Sequence, residues 1–349
     1  MDRITVAGRH IGPGRPVFIV AEVSANHLQD FDRALKTVRA AARCGADAVK
    51  FQTYTPDTIT LDCNDECFRI GQGTLWDGKV LYKLYEEACT PRRWYFKLDE
   101  EARRLGLICF SSPFDPSAVD FLESHNTPAY KIASYEITDL PLIRYAASKG
   151  KPMIISTGVA RLDDIQAAAA ACREAGNYQI ALLKCTSLYP APFDELNLKT
   201  IPDMAARFGV VVGFSDHSLS TSIASAAVAL GASIIEKHIT LERSAGGPDA
   251  AFSLEPDEFA AMTAAVREVE AALGGVTYEL NEKILKAREH SRSLFVVKDI
   301  QAGEIFTLEN VRSIRPGFGL HPKHLDDILG RKAAVNIKRG APLKWEYLD

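Results

Sequence analysis

The 349-residue sequence predicts an α/β fold, a closed (β/α)8 TIM barrel followed by a small, mostly β C-terminal domain. Three observations lead there. Eight short, near-continuous apolar runs recur along most of the chain. An amphipathic helical segment lies between most of them, and strands buried on both faces that alternate with helices form parallel sheets. After about residue 290 the pattern changes to short alternating runs with Gly-containing turns.

In chain order, residues 3–12, ITVAGRHIGP, read as a β-hairpin that caps the barrel floor. The first four strands are VFIVAE (17–22), DAVKFQ (47–52), LICFSS (107–112) and AYKIAS (129–134). The next four are PMIIST (152–157), IALLKC (180–185), VVVGFS (210–215) and SIIEKH (233–238). Helices such as DFDRALKTVRAAARCG (30–45) and LDDIQAAAAACREAG (162–176) cover the outer face. An open doubly wound sheet is the competing arrangement, but no G-x-G-x-x-G follows the first strand. Residues 53–90 form an insertion after strand two, and loops this long in compact domains are usually functional. The barrel domain is assigned to 1–273, a linker to 274–287 and the second domain to 288–349.

Composition narrows the function. A formal net charge of −4 gives no overall pull toward nucleic acid or an anionic membrane, while a local basic pocket remains compatible with it. No apolar run reaches the roughly 18 residues of a membrane helix. The start lacks the apolar stretch of a secretory signal, so the cytoplasm is the expected location. Seven cysteines form no even framework. Cys63 and Cys67 have no second Cys/His pair at zinc-finger spacing and read as free thiols; Cys44, Cys109, Cys172 and Cys185 read as small core residues.

In such a barrel the active site lies at the C-terminal strand ends. Here nearly every strand ends in reactive groups. Strand one ends at Glu22, with Asn26 and His27 just after; strand two has Lys50 and Gln52; strand three has Ser111 and Ser112. Strand four carries Lys131 and Ser134, strand five Ser156 and Thr157, and strand six Lys184, Thr186 and Ser187. Strand seven runs into Ser215, Asp216 and His217, and strand eight ends in Glu236, Lys237 and His238. Any one of these has an ordinary reading, a solvated lysine or a hydrogen-bonded core histidine. That reading has to hold separately at eight strand ends, which weakens it.

The set suggests a chemistry. His217 and His238, at the ends of adjacent strands, can hold one divalent ion and leave positions open for substrate and water. Two His ligands suit a Lewis-acid role for manganese or a similar metal. Lys50, Lys131 and several hydroxyls suit a phosphate and a carboxylate. Glu22 and Glu236 could be acid/base groups or could orient sugar hydroxyls. Period-two alternation turns Lys237 to the opposite face from Glu236 and His238.

The motifs AEVSANH, GADAVKFQTY, SSPFD, YKIAS, ISTG, GFSDH and EKHIT…GPDAAFSLEP together resemble the sialic acid synthase family of nonulosonic acid synthases. The tail SLFVVKDIQAGEIFTLENVRSIRPGFGL is similar to that family's antifreeze-like (SAF) domain. The likeness spans essentially the whole chain. SANHLQDFDRAL, TYTPDTITLD, GTLWDGKVLYKLYEEACTP and FSLEPDEF resemble the pseudaminic acid branch in particular.

The resemblance implies condensation of phosphoenolpyruvate with an N-acetylated amino sugar in its open-chain form, with C–O cleavage and release of phosphate. For this branch the sugar is 2,4-diacetamido-2,4,6-trideoxy-L-altrose; a manno-configured sugar, giving N-acetylneuraminate or legionaminate, is the alternative. The resemblance places a divalent metal, manganese first with magnesium or cobalt as alternatives, on His217 and His238. It assigns phosphoenolpyruvate to Lys50, Lys131, Ser134, Ser156 and Ser215, with Gln52 and Ser187 as neighbours; Ser187 stands where many relatives have Asn. Glu22 falls at the position that manages protons or the attacking water, while Tyr189, Glu236 and Asp249 fall where the sugar binds. Arg315, in RPGFG, matches an arginine that reaches from the small domain to a partner's barrel, which implies a domain-swapped homodimer. Three rival classes remain: a catalytically inactive carbohydrate-binding barrel, an ice- or surface-binding protein led by the small domain, and a metal aldolase acting on pyruvate. The complete set of metal and phosphate positions argues against the first, and the attached barrel against the second.

Overall fold

A computed structural model describes residues 3–71 and 73–349. The chain divides into two compact units, Met1–Gly274 and Gly275–Asp349. The first opens with the antiparallel hairpin β1 (Ile4–Val6) and β2 (Arg9–Ile11). Eight parallel strands follow: β3 (Phe18–Glu22), β4 (Ala48–Thr53), β5 (Ile108–Pro113), β6 (Tyr130–Ile132), β7 (Met153–Ser156), β8 (Ile180–Cys185), β9 (Val211–Asp216) and β10 (Ile234–His238). They close in sequence order, β10 pairing β3, into the barrel that the apolar runs predict.

Helices α1 (Phe31–Arg43), α2 (Pro56–Ile59), α3 (Leu81–Ala88), α4 (Arg92–Arg104) and α5 (Pro116–Ser124) accompany the first strands. They are followed by α6 (Leu140–Ser148), α7 (Leu162–Glu174), α8 (Thr200–Phe208), α9 (Ile223–Ala229) and α10 (Pro256–Leu273). Local chemistry sets several starts. Asp30, Asp115 and Asp139 accept hydrogen bonds from first-turn backbone N–H groups of α1, α5 and α6, leaving fewer orphan donors at those N-termini.

Alternation along the strands builds two cores. Outward residues such as Ile19, Val49, Ile155 and Ile235 pack under the helices. Inward residues Phe18, Phe110, Ile154, Leu183 and Ile234 join Ile4, Val6 and Ile11 of the hairpin, so the hairpin plugs the floor as expected. With the floor filled by apolar side chains, the barrel interior opens at the C-terminal mouth. Strand four is shorter than read: β6 stops at Ile132, and Ser134–Glu136 form a 3-10 turn that bends the chain over the mouth. The insertion holds α2, a 3-10 turn at Glu66–Phe68 and α3, tied by an antiparallel bridge between Arg69 and Val80.

The second unit holds α11 (Glu282–Ala287), β11 (Ser293–Val296) paired antiparallel with β12 (Val311–Ile314), and α12 (Leu325–Ile328). Its own core contains Leu294, Val296, Phe306, Val311, Ile328 and Leu343. All seven cysteines are free thiols. No helix among the described residues is long and apolar enough to cross a membrane.

Candidate active site

β10 shows how the site is built. Ile234 points into the barrel and Ile235 out to the helices. The same alternation turns Glu236 and His238 inward at the mouth, where both line a cavity of about 560 Å³. Lys237 faces outward and is fully buried, paired with Asp216 at 2.7 Å and donating to the Ser218 carbonyl.

The inner layer is a cluster of two lysines and two glutamates. Lys50 Nζ lies 2.7 Å from Glu22 Oε2 and 3.7 Å from Glu236 Oε2, and donates to Ser112 Oγ at 3.3 Å. Lys131 Nζ donates to Ser156 Oγ at 2.7 Å and lies 3.6 Å from Glu236 Oε1. Ser215 Oγ donates to the same Glu236 oxygen at 3.0 Å. Burial pushes both carboxyls up, but with different results. Glu22, next to the negative Glu236, rises to about 7 despite Lys50. Glu236 is pulled below its ordinary value because Lys131, Lys50 and the Ser215 hydroxyl outweigh its burial. Two carboxyls in one site thus titrate far apart, as an acid/base pair requires.

A hydroxyl-lined cradle adjoins the lysines. Ser134 Oγ accepts from Gly158 N–H at 3.1 Å. A Cβ on Gly158 would lie 2.2 Å from Ser187 Oγ, 2.8 Å from Ser134 Oγ and 3.0 Å from Cys185 Sγ, so any side chain there must push the cradle's hydroxyls aside. The cationic, hydroxyl-rich corner has the composition of an oxyanion site.

His217 and His238 face each other with ring centroids 5.3 Å apart. His217 Nδ1 donates to the Thr186 carbonyl at 3.0 Å, which leaves Nε2 as its lone-pair nitrogen. Cys185, read from sequence as a core residue, is buried but also places Sγ 3.8 Å from that Nδ1. His238 is held neutral by burial and by the positive groups around it, and its buried Nδ1 has no hydrogen-bond partner. Two neutral-capable imidazoles, one with a spare buried nitrogen, fit a divalent ion. Among the described residues no cluster of three or more His, Cys, Asp or Glu side chains is arranged to hold one, so substrate and water would complete the sphere.

Aromatic rings roof this half of the cavity. Tyr189 lies 4.5 Å from His217 and 4.7 Å from Phe252, and Trp76 of the insertion lies 5.5 Å from Tyr189. Trp76 Nε1–H donates to the Pro248 carbonyl at 2.9 Å, tying the insertion to the loop after β10. Gln52 Nε2 donates to Glu22 at 3.2 Å and to Ser24 Oγ at 2.9 Å, and Ser24 in turn donates to Asp249.

Every predicted site residue except Ser187 and Arg315 lines the cavity. Ser187 stands beside the Gly158 cradle, and Arg315 is an exposed residue of the second unit, just past β12. Some strand-end groups serve the scaffold instead. Asn26 Nδ2 donates to the Ile239 carbonyl and Ser253, His27 is packed against Trp94, and Ser111 pairs with Thr53. The reading missed Ser24, Gly158, Tyr54, Phe114, Glu136 and Phe252. Their signal was faint: each sits one or more residues beyond a strand, where period-two alternation no longer tells direction.

The NeuB family pattern matches residues 37–278, and the SAF domain pattern matches residues 291–349. The chain is 48% identical over 330 residues to the pseudaminic acid synthase of Campylobacter jejuni, covering 95% of this chain and 96% of that protein. It is 34% identical over 343 residues to the N,N'-diacetyllegionaminic acid synthase of Legionella pneumophila, covering 97% and 96%. Among solved structures, the spore coat polysaccharide biosynthesis protein SpsE of Bacillus subtilis superposes with a TM-score of 0.68 at 34% identity, over 99% of both chains.

Proposed function

The chain belongs to the NeuB family, and from that membership we propose that it condenses phosphoenolpyruvate with 2,4-diacetamido-2,4,6-trideoxy-L-altrose, forming pseudaminic acid and phosphate. The observation that carries this reading is one cavity that joins the Lys50/Lys131 hydroxyl corner to the His217/His238 pair. The first suits a small dianion or trianion, the second a carbonyl oxygen. The higher identity to the pseudaminic acid enzyme than to the legionaminic one supports the choice of sugar.

Lys50 and Lys131, with the hydroxyls of Ser134, Ser156 and Ser215, would bind the phosphate and carboxylate of phosphoenolpyruvate. Without substrate these lysines lean on Glu22 and Glu236, so the buried charges balance. His217 and His238 would hold a divalent ion, manganese first with magnesium or cobalt as alternatives. That ion, when bound, supplies Lewis-acid polarisation of the sugar's aldehyde oxygen. The methylene carbon of phosphoenolpyruvate forms the new C–C bond, and the pyruvyl carbon, left electron-poor, takes up water. Glu22, with a pKa of about 7, is placed to accept the proton of that water. Breaking of the C–O bond to phosphorus's oxygen then expels phosphate and leaves the keto acid. Tyr189 and Asp249 would position the sugar, and Arg315 would come from the second copy in a domain-swapped homodimer.

The test is phosphate release from phosphoenolpyruvate with manganese, against a sugar panel, each with an EDTA control. The panel holds the diacetamido-trideoxy-altrose, N-acetylmannosamine and the 2,4-diacetamido manno sugar. Metal-dependent release with the altrose sugar alone is expected. Release only with a manno sugar would replace the sugar assignment and keep the chemistry; no release with any would overturn the reading.

A further inference from the structure

The proposed condensation assigns no role to the residues on one half of the cavity. That half is lined by Tyr54 beyond β4, Phe114 beyond β5, Glu136 beyond β6, and Leu84 and Tyr85 on α3 of the insertion. The Tyr54 ring stands 4.9 Å from Phe114 and 5.7 Å from Tyr85, both edge-on, so the three rings form one wall. In a ring of eight strands β5 lies four places from β9 and β6 four places from β10. Phe114 and Glu136 therefore lie across the barrel from the His217/His238 pair, with Tyr54, beyond β4, part of the way round.

Glu136 sits on this wall with one carboxyl oxygen, Oε2, cut off from solvent and without a hydrogen-bond partner. The nearby ammonium groups are engaged elsewhere, Lys131 with Ser156, the Ile132 carbonyl and Glu236, and Lys50 with Glu22 and Ser112. A buried carboxyl oxygen left unpaired is costly, and a ligand N–H that reaches Glu136 from the cavity would relieve that cost. Burial lifts its pKa to about 7 against the pull of Lys131 and Lys50. A hydroxyl on the ligand would satisfy the carboxyl but not the aromatic wall, and a methyl group would fill the wall but not the carboxyl. An acetamido group carries both an N–H and a methyl.

We propose that Glu136 and the Tyr54–Tyr85–Phe114 wall form the subsite for the acetamido group on C4 of the sugar, its N–H donated to the carboxylate and its methyl against the rings. The proposal rests on the synthase reading, which holds the aldehyde carbon, C1, at the histidine pair. C2 adjoins that carbon, so of the two acetamido groups the one on C4 reaches farther toward the opposite wall. The subsite selects for a 4-acetamido sugar over a 4-hydroxy sugar, and the insertion supplies part of the selection through Tyr85 and Leu84.

The test uses the full chain with manganese and two sugars that differ only at C4, the diacetamido-trideoxy-altrose and its 4-hydroxy counterpart. Wild type is expected to favour the first in kcat/KM. Glu136→Ala should lose on the order of 10- to 100-fold with the acetamido sugar and little with the hydroxy sugar, at unchanged KM for phosphoenolpyruvate. Glu136→Gln, which keeps an acceptor oxygen, should recover part of the loss, and Tyr85→Ala should lower the preference in the same direction. Equal losses with both sugars, or a raised KM for phosphoenolpyruvate alone, would overturn the subsite while leaving the synthase. Wild type that releases no phosphate with either sugar would overturn both.

Discussion

Glu22 and Glu236 share Lys50 yet are pushed in opposite directions, Glu22 up and Glu236 down, and the difference lies in their other contacts. Glu236 has both ammoniums within 4 Å and the Ser215 hydroxyl, whereas Glu22 has only Lys50 at 2.7 Å and the Gln52 amide. Glu22→Gln should keep the Gln52 contact and the fold but remove the proton acceptor. Its kcat should fall on the order of 10²- to 10⁴-fold. KM for phosphoenolpyruvate should stay level or drop, since one anion competing for Lys50 is gone. Steady-state phosphate release checks both, and an intact kcat would remove Glu22 from the proton path. Gly158→Ala tests the cradle. The added Cβ meets two serine hydroxyls, which can rotate away, so the melting temperature should move little. The hydroxyls would then no longer face the anion, and KM for phosphoenolpyruvate should rise on the order of tenfold or more. A lowered melting temperature with unchanged KM would make Gly158 a packing residue only.

At the level of elements, the two imidazoles meet because β9 and β10 keep one register, Ser215 opposite Glu236 and Asp216 opposite Lys237. The outward face of that pair is locked by the Lys237–Asp216 bridge, with both side chains fully buried and Asp216 also accepting from Ser218 N–H. Lys237→Met alone should cost about 3–5 kcal/mol, because it strands a buried carboxylate. Adding Asp216→Leu should recover most of that, as denaturant titration of the two variants would record; a double variant as unstable as the single would mean the bridge itself holds the strands. The alternation that sends Lys237 outward is readable in EKH, but its complete burial is not, since the partner lies on another strand. The same contrast holds across the site. Strands are legible because each is a continuous apolar run bounded by turns, and residues on them inherit a direction from the period of two. Asp249, Trp76, Tyr54, Phe114 and Glu136 lie beyond the strands, where direction is set by contacts such as Trp76 with the Pro248 carbonyl. Asp249 was reached only through resemblance, and the wall not at all.

Over the whole molecule, the buried titratable groups of the barrel unit push stability in opposite directions as pH falls. His27 donates to Thr90 Oγ1 and accepts from Gln29 N–H, and burial lowers its pKa to about 4. An unfolded histidine titrates near 6.5, so between those values only the unfolded chain binds the proton. The stability from a neutral His27 is therefore full above about pH 6.5 and is lost as pH falls toward 4, about 3 kcal/mol in all. Glu22 and Glu136 behave oppositely. Their folded pKa values stand at about 7 against 4.5, so the folded chain holds their protons first and gains stability as pH falls through that window. The wild-type acid profile should thus be flatter than His27 alone would make it, and a difference between two proteins is needed to isolate the histidine. His27→Gln should be the less stable protein at pH about 7.5, where two hydrogen bonds are weakened, with the difference shifting by about 2.5 kcal/mol in the variant's favour at pH about 4.5. Urea unfolding of the barrel unit, followed with EDTA so that His217 and His238 contribute equally in both proteins, measures that gap. A gap that stays constant across the range would mean that His27 takes up its proton at the same pH folded and unfolded, and that the acid limb belongs to other groups.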